Sequence, residues 1–268
     1  MSEFLAIMWL PFLACLILTG IHAYLGFHVI TRQVIFVDLA LAQIAVLGAS
    51  FALLFGYEMD GPQGYWFSLT FTIIGAGIFA LTRFKKQKVP QEAIIGIVYV
   101  VCEALLLIVL SFSGEGTEHI RQSLVGNILL VTPREIMKVF VIYVFVGLLH
   151  FVFKKQFYLI SENPEKAFQQ GLNVRGWDFL FYLTFGLVVT SSVKIAGILL
   201  VFSFLVIPAV CATYLSGNNR TRLNLGWGIG TLGSMIGMAV SYWFDLPSAA
   251  SVVCVFGVLL LILFMIKR

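Results

Sequence analysis

Charge is what this sequence has least of. Thirteen acidic and 17 basic side chains among 268 residues amount to 11%, where a globular domain carries about 25%. Hydrophobic residues fill 60% of the chain, against roughly 45–50% in soluble proteins. So few charges cannot cover so much apolar surface in water. That excludes a soluble enzyme, a disordered chain and a disulfide-framed secreted domain. Lipid is the solvent this composition requires.

Motifs are missing as well. No Lys follows a Gly anywhere, so there is no phosphate-binding G-x-x-x-x-G-K-[ST] loop and no ATP site of that kind. H-E-x-x-H, G-x-S-x-G and C-x-x-C are absent, and no two His share a helix face. The four cysteines, Cys15, Cys102, Cys211 and Cys254, are scattered through apolar stretches and read as small hydrophobes. A net charge of +4 is too small for a nucleic-acid binder. A membrane-embedded enzyme lacks any catalytic constellation, and the expectation is that the chain is not an enzyme and holds no resident cofactor.

What is present is a series of apolar runs. A span needs about 20 such residues, and the sequence offers nine segments: 4–25, 33–56, 65–82, 90–112, 134–153, 178–193, 195–216, 224–244 and 247–266. They must be helices, because hydrocarbon leaves no water for an open backbone. The first run is too long for a signal sequence and has no basic residues before it, so it reads as a retained span. The expected architecture is one all-α integral membrane domain over residues 1–268, a polytopic bundle of about nine helices.

Basic residues set the orientation. Arg32, Arg83, Lys85, Lys86, Lys88, Lys154, Lys155, Lys166, Arg175, Arg220, Arg222, Lys267 and Arg268 fall in one set of loops. Only Arg121, Arg134, Lys138 and Lys194 fall in the other. The richer set belongs in the cytoplasm. The longest internal polar stretch, 154–177, is then cytoplasmic. Within it Asn163 reads as an N-cap, Pro164 as the first helical residue, Glu165 as a first-turn charge and Gly171 as the stop. Two turns of helix cannot stand alone in water. Ala167, Phe168 and Leu172 supply a small apolar face, which lies either on the chain's own membrane domain or against a cytoplasmic subunit.

Acidic residues inside spans are functional candidates by default. Asp38 heads a stripe of small side chains, Ala42, Ala45, Ala49 and Ala52, on one helix face. The stripe admits either a close helix or a pathway. Glu103, beside Cys102, reads as a hydrogen-bonded protonated acid or as a pathway ligand. Glu92 behind Pro90 reads as an N-terminal helix charge. His119 lies in an outer loop with Glu115 and Glu118, either solvated or handing over a cation. His22, His28 and His150 read as interfacial. Gly226, Gly230, Gly233 and Gly237 form a doubled G-x-x-x-G face. Pro208 should kink or break its span.

Five stretches, in order along the chain, carry a resemblance. They are FVDLALAQIAVLGASFALL (36–54), PQEAIIGIVYVV (90–101), SLVGNILLVTPREI (123–136), SENPEKAFQQGLNV (161–174) and SSVKIAGILLVFSFLVIPAVCATYLS (191–216). Together they resemble the permease subunits of ABC importers for zinc, manganese and iron, with 161–174 similar to that family's coupling helix. The resemblance implies a type II ABC importer fold, like the vitamin B12 importer permease but with fewer spans. It implies two permease subunits around one path, as a homodimer, in the bacterial inner membrane. A separate ATP-binding subunit would dock on Asn163, Pro164, Glu165, Ala167, Phe168 and Gly171, and a metal-binding protein would dock outside. The cargo would be a divalent metal, zinc or manganese first.

One departure from that family is legible. Its second span carries an Asp and, four residues later, a His, roughly 40° apart on one face. Here Gln43 stands at the His position and Leu39 at the Asp position. Asp38 and Gln43 are five apart, roughly 140° around a regular helix. Sharing an ion then requires a local break or a second helix, such as one bringing Glu103 opposite Asp38. Oxygen donors suit manganese or magnesium better than zinc. A gradient-driven transporter working without an ATPase is the other class the residues allow, with Asp38 and Glu103 as proton or sodium sites.

Overall fold

The computed structural model describes residues 2–83, 89–113, 126 and 128–266. The described residues are helical, without strands, and give ten elements. They are α1 (Ser2–Arg32), α2 (Val37–Phe51), α3 (Pro62–Leu81), α4 (Gln91–Ser113), α5 (Pro133–Val152), α6 (Lys154–Glu162), α7 (Pro164–Gln169), α8 (Val174–Leu215), α9 (Asn219–Phe244) and α10 (Ser248–Ile266). Short 3-10 turns at Ala52–Phe55 and Ile128–Leu130 complete them.

Eight of the described helices are long and apolar enough to cross a membrane. The nine apolar segments map onto them because α8 holds two. Its 42 residues would extend roughly 63 Å if straight, about twice the hydrocarbon thickness. The helix breaks at Gly197, whose φ of 74° and ψ of 162° only glycine adopts without strain. The break is therefore at Gly197 and not at Pro208, where the backbone stays helical. Proline's fixed φ is itself compatible with a helix.

Local sequence explains the helix starts. Thr132 and Glu135 form a reciprocal capping box at α5: Glu135 Oε2 accepts from Thr132 N at 2.8 Å, and Thr132 Oγ1 accepts from Glu135 N at 3.3 Å. Pro133 occupies the first helical position, where a missing N–H costs nothing. At α9, Asn218 Oδ1 accepts from Arg220 N at 2.9 Å.

The chain divides into two compact units. One holds residues 1–30, 122–143 and 192–268. Within it, small residues set helix contacts. Gly230 packs on Thr19 of α1, Gly233 on the Phe256 ring and Gly237 on Val252 of α10, leaving no room for a Cβ. The doubled G-x-x-x-G face is thus a packing face. Gly26 abuts the Leu205 carbonyl in the same way.

The other unit holds residues 31–121 and 144–191. Its centre is α2, which packs against α3 and α4. The stripe of Ala42, Ala45, Ala49 and Ala52 is buried throughout. Gly48 lies against the backbone of Phe67 and Ser68, and Gly75 against Ile44. Close helix approach in this unit is thus set by Gly48 and Gly75.

Candidate functional site

Asp38 sits in the first turn of α2, where the helix dipole favours a carboxylate. The helix starts at Val37, later than the apolar run that begins at 33, so Asp38 lies at a helix end rather than in mid-helix. It is 1% exposed, and neither carboxylate oxygen has a hydrogen-bond partner among the described residues. An unpaired buried carboxylate is costly. Such a group is retained where something else is meant to meet it.

Gln43 is also buried. The helix α2 shows no break between Asp38 and Gln43, so the two point apart by the angle their spacing gives. Glu103 lies half-buried on α4, with Oε2 enclosed and unpartnered. Although α4 packs against α2, no three His, Cys, Asp or Glu side chains come together among the described residues. This chain's described acids and histidines assemble no complete metal cage. His119, with Glu115 and Glu118, lies outside the described residues.

Glu92 does more than favour its own helix. It stands in the first turn of α4, and its Oε1 accepts a hydrogen bond from Phe36 N at 3.0 Å. Phe36 is the N-cap residue of α2. One side chain thus holds the amino-terminal ends of α2 and α4 together, two residues from Asp38.

The segment between α5 and α8 folds as its sequence signals. Asn163 Oδ1 accepts from Lys166 N at 2.9 Å, and Pro164 opens α7. Glu165 lies in the first turn. Gly171 adopts φ of 73°, with Leu172 N bonded to Ala167 O and Gly171 N to Phe168 O, both 3.1 Å. This pair of bonds is a Schellman stop. The apolar face of α7 turns inward: Ala167 is fully buried with Ile160 and Val174, and Phe168, Leu172 and Trp177 pack around them. Ala167, expected with its neighbours on a docking surface, thus faces the interior and not the exposed side of α7. The outward face, Glu162, Asn163, Glu165, Lys166, Gln169 and Gln170, is polar and exposed.

Beneath this segment lies a buried ionic knot that the sequence did not reveal. Asp178 of α8, fully buried, takes Arg32 Nη1 at 2.7 Å, and Arg83 Nε lies 3.2 Å from its other oxygen. Arg32 Nε also donates to Ser161 Oγ of α6 at 2.7 Å, and the guanidinium stacks 3.9 Å over the Phe181 ring. Arg83 reaches Gln91 at 3.4 Å, and Gln91 donates to the Phe79 carbonyl at 2.9 Å and to Tyr182 Oη at 3.2 Å. Arg32 and Arg83 had registered only as loop charges. Asp178 had merged into the start of a short apolar run.

The histidines are not interfacial. His22, His28 and His150 are all buried. His22 Nδ1 donates to the Leu18 carbonyl at 2.8 Å, which leaves Nε2 to accept from Ser192 Oγ at 3.4 Å. Tyr143 bonds Ser192 in turn. His150 bonds Thr184 at 2.9 Å and stacks flat on Phe157 of α6. Burial, with the bonds of His22 and His150 and the ring contacts of His28 to Tyr24 and Phe27, marks them as parts of the packed interior.

These features define a class: a multi-pass helical membrane protein with a buried carboxylate at the start of its second helix and a short capped helix set between two spans. The family follows from sequence. The profile of the ABC 3 transport family matches residues 5–267, and the chain belongs to that family. It is 31% identical over 201 residues to the manganese transport system membrane protein MntC of Listeria innocua, covering 72% of this chain and 71% of that one. It is 24% identical over 241 residues to the "Probable iron transport system membrane protein" of Haemophilus influenzae, covering 90% and 86%. Among solved structures it is similar to PsaBC from Streptococcus pneumoniae in complex with Fab, with a TM-score of 0.79 at 20% identity over 98% of this chain and 95% of that one. At that identity the likeness is one of fold, and it is the all-helical permease fold that the five stretches led one to expect.

Proposed function

We propose that this chain is the membrane-spanning permease subunit of an ABC importer for a divalent metal ion, driven by a separate ATP-binding subunit. The observation that carries the reading is the family match over nearly the whole chain, joined to a buried carboxylate that no described residue satisfies. Two copies around one path, as a homodimer in the bacterial cell membrane, would each contribute Asp38. An extracytoplasmic metal-binding protein would deliver the ion.

Manganese is the cargo the side chains favour, with iron next. Asp38, Gln43 and Glu103 offer oxygen, and oxygen donors suit manganese better than zinc. The relatives named above carry manganese and iron in their names. Loose coordination suits the task, because a tight cage would not release its ion. ATPase closure would act on the exposed polar face of α7 and swing the helices that follow. Family membership speaks against a gradient-driven transporter acting alone.

The test is copurification with an ABC ATP-binding subunit, followed by uptake of labelled manganese, iron and zinc into proteoliposomes. ATP-dependent manganese uptake supports the reading. Failure of all three metals to enter, with the complex intact and hydrolysing ATP, contradicts the cargo.

A further inference from the structure

We propose that Arg32 is a positioning residue that couples the ATPase-docking segment to the start of α2, where Asp38 stands. This rests on the docking role given to α7 above and adds the route by which its movement reaches the acidic site.

The geometry is specific. The helix α7 is flanked by α6 before it and α8 after it, and both flanks are tied to the same guanidinium. Ser161, two residues before Asn163, takes Arg32 Nε at 2.7 Å. Asp178, in the second turn of α8, takes Nη1 at 2.7 Å. Phe181, one turn further on, carries the guanidinium face at 3.9 Å. The fork geometry of Arg lets one side chain hold two helices at once.

Arg32 is also the last residue of α1. Gln33 follows with φ of 57°, a left-handed backbone rare for a residue with a side chain. Four residues past Gln33 the chain enters α2, and Asp38 lies in its first turn. The elbow between α1 and α2 is thus gripped from the docking side and opens onto the lone carboxylate. Asp178 extends the grip, since Arg83 brings the end of α3 to the same carboxylate and joins it to Gln91 at the start of α4. A shift of the docking segment as a body therefore pulls on the elbow rather than dissipating in a loop.

The experiment uses the complete transporter with R32K and S161A. Lys keeps the charge beside Asp178 but cannot bridge to Ser161 as well, and S161A removes that bridge alone. The readouts are the amount of ATPase subunit bound, ATP hydrolysis, and manganese imported per ATP. A cysteine at exposed position 166 (K166C), cross-linked to the ATPase subunit, checks the docking reading separately. The expected result is normal binding and continued hydrolysis, with manganese imported per ATP falling by roughly two- to thirtyfold in R32K and less in S161A. Unchanged ions per ATP in an assembled R32K complex would overturn the coupling role and leave docking standing. Should R32K fail to assemble, S161A decides, and an unchanged ratio there overturns the role. Absence of any cross-link at 166 in an active transporter would overturn the docking reading and the coupling role with it.

Discussion

Gly126 lies so close to Gly197 that a Cβ on Gly126 would stand 2.2 Å from the Gly197 nitrogen. Gly126 also has φ of 63°. Gly126 thus abuts the break in α8, and Gly197 makes it. Gly56 has φ of 77° but open space around it. We expect G56A to cost roughly 1–2 kcal/mol, the price of a left-handed backbone, and G126A to cost well beyond that because backbone cannot yield. Thermal unfolding in detergent ranks the two. Equal melting temperatures would contradict the close approach.

Asp38 should trade stability for transport. Both its oxygens are buried without partners among the described residues, so removing the charge relieves a desolvation cost. D38N is expected to melt at or above the wild-type temperature, to assemble normally, and to lose most manganese uptake. D38A should behave alike. Normal uptake by either variant removes Asp38 from the path.

Asp178 should behave in the opposite way. Its loss leaves Arg32 and Arg83 buried together without a counter-charge, which costs about 3–5 kcal/mol where a buried pair is broken. R83Q keeps the 2.7 Å pair of Arg32 with Asp178 and should cost markedly less. Yield of folded protein and melting temperature distinguish them. A D178N variant as stable as R83Q would show that the knot is not a charge-balanced unit.

Removing residues 163–171 should release the ATP-binding subunit while the spans still insert. A gentler version reverses the outward charge at Glu165 and adds charge at Gln169, both exposed, leaving the Ala167 cluster intact. Pull-down of the ATPase subunit reads both. Full retention after the deletion would contradict docking at α7.

How much of this was legible depended on range along the chain. The caps of α7 could be read because Asn163, Pro164 and Gly171 act on neighbours within a few residues. The spans could be read because each apolar run declares itself. The doubled glycine face of α9 was visible by period alone, and its partners Thr19, Val252 and Phe256 were not. The knot could not be seen at all. Arg32 and Asp178 are 146 residues apart, and no local pattern joins them. At Pro208 the backbone keeps helical angles, because proline's fixed φ suits a helix, whereas Gly197 accepts a backbone that other residues refuse and makes the break. The histidines misled because a position near a span end says nothing of which way the ring turns. The five-residue spacing of Asp38 and Gln43 could be read as an angle because α2 is regular across it.

The central claim is that this permease moves its ion only when a partner hydrolyses ATP. The direct measurement is manganese accumulation in sealed proteoliposomes. One set holds the purified chain alone under an imposed proton or sodium gradient. The other holds the chain with its ATPase subunit, ATP and the external binding protein. Accumulation is expected in the second set and none in the first. Accumulation by the chain alone, on a gradient without ATP, would contradict the claim.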